Sequence, residues 1–384
     1  MKTGSPIYLD HAATSWPKPE RVSQSMLEIL NGPAANSGRG NYRMAMNAGR
    51  SILQTRTALA QLLQVDNAND IVFTSNTTEA LNLAIKGCLR EGDHVVATMV
   101  EHNSVRRPLE YLKRIKGIQV DYIPVSAQGI LDLAELKERV TPQTRLVVCA
   151  HSSNLLGSIL PVEEIGKIAH AAGALLLIDA AQTIGCYPVD VKQTGADMIA
   201  FPGHKSLLGP QGTGGLYIRP DLELEPLLHG GTGSQSEAVE MPKVRPDQYE
   251  AGTLNTVGIA GLGAGVRTVM EYGIEKIYQH EWQLTQQLMQ GLLEIKGLTC
   301  LGPELGVPRT GLVAFTLEGW DAAEVAFRLD RQYQISVRAG YHCTPLGHMS
   351  AGTTGRGAVR ASVGYSTTVQ EIEALISAMK QIAQ

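Results

Sequence analysis

The chain has 384 residues, 43% of them hydrophobic and 18% charged, with a net charge of −4. That is the composition of a globular protein large enough for two or three domains, and its weak acidity offers no field to nucleic acid or an anionic membrane. No run approaches the roughly 20 apolar residues of a bilayer span.

Met1 to Asp10 shows neither the apolar segment nor the cleavage site of a secretory leader. From about residue 50 to 220, apolar runs predict strands at 71–74, 95–98, 120–125, 145–150, 175–179 and 198–201. Amphipathic segments between them predict helices at 78–87, 103–115, 131–140 and 162–172. Continuous apolar strands separated by helices imply an α/β fold, a mostly parallel sheet covered on both faces. Ligands in such sheets bind outside the carboxyl ends of the strands. A glycine-rich stretch, His229 to Glu237, breaks the pattern, and one long helix is predicted from Thr256 to about Ile295. The remainder reads as α+β, with a strand at 311–317 and helices at 321–332 and 368–382. Five scattered cysteines without CxxC or zinc-ligand spacing read as reduced thiols of a cytoplasmic protein, with no structural metal.

Four places at strand ends carry candidate chemistry. Thr74-Ser-Asn-Thr-Thr-Glu79 opens a helix, where free backbone N–H groups suit a phosphate; a plain capping sequence explains it equally well. His102 in Glu101-His-Asn103 suits stacking and acid–base work, although taken alone a hydrogen-bonded structural histidine is the better reading. Asp179 ends a buried apolar run and needs a partner, either a helix start that it caps or a cationic ring nitrogen. Taken alone, it favours the cap. Lys205 follows the next strand in a Gly/Pro-rich turn, where desolvation and neighbouring cations lower an amine enough for covalent chemistry. Further on, Cys343 sits in Arg338-Ala-Gly-Tyr-His-Cys-Thr-Pro, a glycine-flanked loop. A lone cysteine usually just packs; only together do the thiol, lysine and aspartate suggest pyridoxal phosphate chemistry on sulfur.

Taken together, these residues resemble the pyridoxal-phosphate-dependent cysteine desulfurases of the class V aminotransferase group, of fold type I. The likeness spans the chain, through Tyr8-Leu-Asp-His-Ala-Ala-Thr14, Asn76-Thr-Thr-Glu-Ala80, Ser153-Asn-Leu-Leu-Gly157, Asp179-Ala-Ala-Gln182, Gly203-His-Lys205, Glu250-Ala-Gly-Thr253 and Arg338 to Cys343. The resemblance implies a seven-stranded sheet within a large domain, 15–260, and a smaller α+β domain formed by 1–14 and 261–384. It makes Lys205 the lysine that binds pyridoxal 5'-phosphate and removes the substrate's α-proton. Asp179 becomes the partner of the ring nitrogen, Gln182 of the ring hydroxyl, and His102 the stacking histidine. Thr77, Thr78 and His204 fall on phosphate positions, and Thr253 where a second subunit of a homodimer completes the phosphate site. Asn154 and Arg360 match groups that hold the substrate carboxylate, and Arg39 lies where the partner's substrate entrance is lined.

Cys343 matches the persulfide-forming cysteine in its short, ordered loop form. The implied reaction converts L-cysteine to L-alanine and passes sulfur to an acceptor protein, as in iron–sulfur cluster assembly. L-selenocysteine cleavage, another class V aminotransferase or lyase activity, and a non-enzymatic sulfur-binding protein are the alternatives; Lys205 and Asp179 together disfavour the last. The thiolate is the nucleophile, so the cysteine needs cationic neighbours, and Arg338 and His342 are near in sequence. Three departures stand out: Pro202 replaces a phosphate-binding serine, Asn76 a glycine, and Gly230 to Glu237 follows no common pattern.

Overall fold

The computed structural model describes residues 6–38 and 40–384. A short first strand, β1 (Ile7–Tyr8), lies outside the main sheet. That sheet contains β2 (Ile71–Thr74), β3 (His94–Thr98), β4 (Gln119–Ile123), β5 (Thr144–Ala150), β6 (Leu175–Asp179), β7 (Met198–Pro202) and β8 (Gly214–Ile218), in the order β2-β8-β7-β6-β5-β3-β4. β8 runs antiparallel to both neighbours and every other pairing is parallel. The apolar runs are continuous because both faces are covered. In β6, Leu176 and Ile178 enter one core while Leu175 and Leu177 enter the other. The carboxyl ends of β2, β3, β5, β6 and β7 therefore share one edge, which carries the predicted chemistry.

A second sheet of four strands, β9 (Leu298–Cys300), β10 (Leu312–Leu317), β12 (Arg338–Gly340) and β13 (Ala358–Ser362), is antiparallel in the order β12-β13-β10-β9. Its core is Val313, Phe315, Val359 and Ala361 packed with Leu284, Leu288, Ile372, Leu375 and Met379 of helices Ile274–Leu293 and Val369–Ile382. β11 (Ile335–Ser336) pairs in parallel with β1, so the N-terminus joins this side of the molecule.

The expected single helix from Thr256 to Ile295 is two helices, Thr256–Tyr272 and Ile274–Leu293. Gly273, at φ 87°, separates them in a conformation that only glycine adopts freely. The small residues of the first helix allow close approach. A Cβ on Gly265 would lie 2.3 Å from the Leu207 carbonyl oxygen, and one on Gly261 2.7 Å from Met26. The helix thus packs against both the turn behind Lys205 and the N-terminal helix Glu20–Asn31. No described helix is long and apolar enough to cross a membrane.

Candidate active site

A cavity of about 230 Å³ opens where the strand ends meet the second sheet. Thr77, Thr78, His102, Asn154, Asp179, Gln182, His204, Lys205 and Arg360 all line it. Arg338, singled out only as a neighbour of Cys343, lines it too.

Asp179 is buried at the end of β6, and no helix follows for it to cap. Its Oδ1 accepts one hydrogen bond, from Ala181 N–H at 3.0 Å. Burial pushes its carboxyl up, opposed by that hydrogen bond and by Lys205. The Lys205 amine is pulled down to about 8, chiefly by desolvation, with Asp179 opposing and Arg360 and Arg338 adding to the fall. The turn holding it is tied to the N-terminal segment. The His204 carbonyl accepts from Ser15 N–H at 3.0 Å and from Lys18 Nζ at 2.7 Å, and the Lys205 carbonyl from Ser15 Oγ at 2.8 Å.

Asn76 caps helix Thr77–Cys88, its side chain accepting from Glu79 N–H at 3.0 Å. The helix therefore presents Thr77 and Thr78 at its positive end, next to β7. Thr78 Oγ1 lies 2.8 Å from Ser104 Oγ, which in turn lies 2.9 Å from His102 Nδ1. His102 Nδ1 also accepts from Ser104 N–H at 3.1 Å and caps helix Asn103–Lys116, which leaves the ring's proton on Nε2. Burial, followed by the Lys205 and Arg338 charges, lowers His102 to about 4, so the ring is neutral at pH 7. The capping and the cavity-lining readings of this histidine both hold. Gln182 Nε2 donates to the Ala12 carbonyl at 3.2 Å.

On the opposite wall, Arg338 and Arg360 are directly paired across β12 and β13. Two like charges facing each other on a sheet destabilise it unless anions compensate. Arg360 donates to Asp10 Oδ1 at 2.9 Å and to the Asn154 carbonyl at 2.9 Å, while its buried Nε has no partner among the described residues. Arg338 donates to Cys343 Sγ at 3.7 Å. Cys343 is half-buried and does not line the cavity itself. His342, the other expected cationic neighbour, is neutral: burial lowers it to about 3, with Arg360 contributing, and its Nε2 donates to the Ala358 carbonyl at 3.0 Å.

Thr253 is not in this cavity. It borders a separate one with Asn36, whose Nδ2 donates to Thr253 Oγ1 at 3.2 Å. The segment before it is fixed by Glu250, which receives two bonds from Arg56, at 2.7 and 2.8 Å, and one from Phe73 N–H at 2.7 Å. Arg39 lies outside the described residues. Ser15, Lys18 and Ser104 were missed from sequence, since nothing in their local patterns marks a role at a distant turn.

These residues fit pyridoxal phosphate. Among the described residues the site offers a lysine amine without a hydrogen-bond partner, a buried carboxylate for a protonated ring nitrogen, and a helix N-terminus beside His204, whose buried Nδ1 is unpaired. The fold and cavity define an α/β enzyme of the class V aminotransferases. The description Aminotransferase class-V matches residues 7–375, and the chain belongs to that family. Within it the relatives are cysteine desulfurases. A probable cysteine desulfurase of Methanothermobacter thermautotrophicus is 40% identical over 98% of this chain and 94% of its own. A cysteine desulfurase of Yersinia pseudotuberculosis is 33% identical over 98% and 93%. The apo structure of cysteine desulfurase from Thermococcus onnurineus superimposes with a TM-score of 0.93 at 34% identity, covering 98% of this chain and 94% of that one.

Buried histidines and carboxyls, in the site and beyond it, set a pH dependence of stability. Burial holds His11, His102, His151 and His204 near 4 and His342 near 3, so below pH 6.5 the unfolded chain binds protons that the folded one does not. Stability therefore falls on acidification. Glu101 and Glu281, raised by burial to about 8, act in the opposite sense, as does Asp179. Between pH 6.5 and 8 Glu101 and Glu281 release protons only in the folded chain, and stability falls as pH rises. Lys205 and Lys18, drawn down to about 8, oppose this only towards the top of the range. Urea unfolding of the apoprotein is expected to give its highest midpoint near pH 6.5; a midpoint rising steadily from pH 6.5 to 8 would contradict this.

Proposed function

We propose that the chain binds pyridoxal 5'-phosphate at Lys205 and converts L-cysteine to L-alanine, leaving the sulfur on Cys343 as a persulfide. The observation that carries this is the placement of Lys205 and Asp179 at one edge of the sheet, facing Arg338 and Arg360, with Arg338 donating to Cys343 Sγ. The bound cofactor would supply an electron sink for charge developing at the substrate's α-carbon.

Asp179 would keep the ring nitrogen protonated, and Gln182 would contact the ring hydroxyl. His102 would cover the ring as a neutral imidazole. Thr77, Thr78 and His204 would hold the phosphate, with Pro202 contributing no hydroxyl. Arg360 and Asn154 would receive the substrate carboxylate, the guanidinium fork matching two oxygens. Lys205 would take the α-proton. The Cys343 thiolate would then attack the substrate sulfur, forming an S–S bond as the C–S bond breaks; the carbon left behind takes a proton and becomes the methyl group of alanine.

Residues 15–260 would form the cofactor domain, with 1–14 and 261–384 carrying the cysteine loop, a division supported by the pairing of β1 with β11. A cytoplasmic homodimer, with Thr253 and Arg39 serving the partner's site, fits Thr253 lying outside this chain's own cavity. Sedimentation showing a fully active monomer would refute the dimer. The test of function is alanine and sulfide release from L-cysteine by the loaded protein, with L-selenocysteine and candidate acceptor proteins as further arms. Absence of both products would remove the reading.

A further inference from the structure

Four hydrogen bonds tie the Cys343 turn to the cavity wall. Asn103 N–H donates to the Cys343 carbonyl at 2.7 Å, and Asn154 Nδ2 to the His342 carbonyl at 2.5 Å. Thr344, fully buried, shares its hydroxyl between the Glu101 and Val100 carbonyls at 3.1 and 3.3 Å. The turn is strained: His342 and Cys343 have φ of 47° and 60°, left-handed backbone that ordinary residues hold only where their surroundings enforce it. Gly347 packs directly on the Thr344 side chain, and a Cβ there would lie 2.9 Å from Oγ1. The hydroxyl is thus held in place from both sides.

We propose that Thr344 is a positioning residue that latches the Cys343 turn to the Val100–Asn103 segment, the segment that also carries His102. Cutting the latch lets the strained pair relax, and the thiol loses its fixed distance to the substrate sulfur. The proposal rests on Cys343 being the sulfur-accepting cysteine. Thr344 touches neither substrate nor cofactor, so its removal acts mainly on kcat; Arg360, held by Asp10 outside the turn, keeps its carboxylate contact, and only Asn154 feels the turn through the His342 carbonyl.

The test uses loaded protein and hydrogen–deuterium exchange at Asn103 and Thr344, whose amides bond the Cys343 and Tyr341 carbonyls. Thr344→Val is expected to speed exchange at both at least about tenfold, the scale of one lost buried hydrogen bond. It should lower kcat at least about fivefold, with a smaller change in KM for cysteine than in kcat. Thr344→Ser should restore both. Gly347→Ala, which favours the helix but crowds Thr344, should speed exchange in the same two amides; it also carries the test if Thr344→Val does not fold. Parent-like exchange and kcat in Thr344→Val, or in Gly347→Ala if it replaces that variant, overturn the latch. Full turnover in Cys343→Ala would instead overturn the underlying function, whatever Thr344 does.

Discussion

Replacing Cys343 by alanine is expected to leave a folded protein that still binds pyridoxal phosphate and L-cysteine but produces alanine on the order of a thousandfold more slowly or worse. Neither binding step uses the thiol, and its one side-chain partner among the described residues is Arg338 at 3.7 Å. What disappears is the only thiol beside the cavity among the described residues, and with it the covalent step. The other cysteines are poor substitutes. Burial pushes the Cys88 thiol up to about 12 and Cys300 up to about 11, and raises Cys149 and Cys186 well above the ordinary value. All four stay protonated at neutral pH, so brief exposure to cysteine followed by mass spectrometry should place the extra sulfur on Cys343 alone. L-Selenocysteine should survive the substitution better, since the weaker carbon–selenium bond can break without thiol attack. A variant that desulfurates cysteine at the parent rate would replace the proposed chemistry with another class V aminotransferase or lyase reaction.

The parallel strands were legible because a strand buried on both faces leaves an unbroken apolar run, as in Leu175 to Asp179. β8 was not, because it begins Gly214-Gly215 and reads as part of a loop. Its glycines answer to packing that no local pattern shows. A Cβ on Gly214 would lie 2.8 Å from the Phe201 carbonyl oxygen, and one on Gly215 2.6 Å from the Phe201 ring. Lys205, Asp179 and His102 could be read as candidates because each follows a recognisable strand, and the sheet then brings them to one edge. The supports behind them could not. Lys18 reaches the His204 carbonyl across 186 residues, and Thr344 reaches Glu101 across 243. Cys343 was marked by its chemistry, but its loop turned out to be a strained turn pinned by backbone carbonyls, which sequence spacing does not encode.

Lys205→Ala is expected to abolish the visible absorbance of protein incubated with pyridoxal phosphate and to reduce turnover by on the order of 10²–10⁴ or more, the range for loss of a positioned acid–base group. The amine has no hydrogen-bond partner among the described residues, and desolvation draws it down to about 8 against the opposing charge of Asp179. Roughly a tenth of it is then neutral at pH 7, far more than for an ordinary lysine. The rate at which parent apoprotein takes up the cofactor should therefore climb as pH rises to about 8 and level off above it. Asp179→Asn should keep the attachment while lowering turnover, since it removes the proposed partner of the ring nitrogen and leaves the amine. Borohydride reduction of the loaded parent, followed by peptide mapping, should mark Lys205. The instructive competitor is Lys18, whose amine burial also brings down to about 8. Its Nζ is committed to Ser15 Oγ and the His204 carbonyl, both at 2.7 Å, so it is held as a structural cation. Label on Lys18 in place of Lys205 would overturn the assignment.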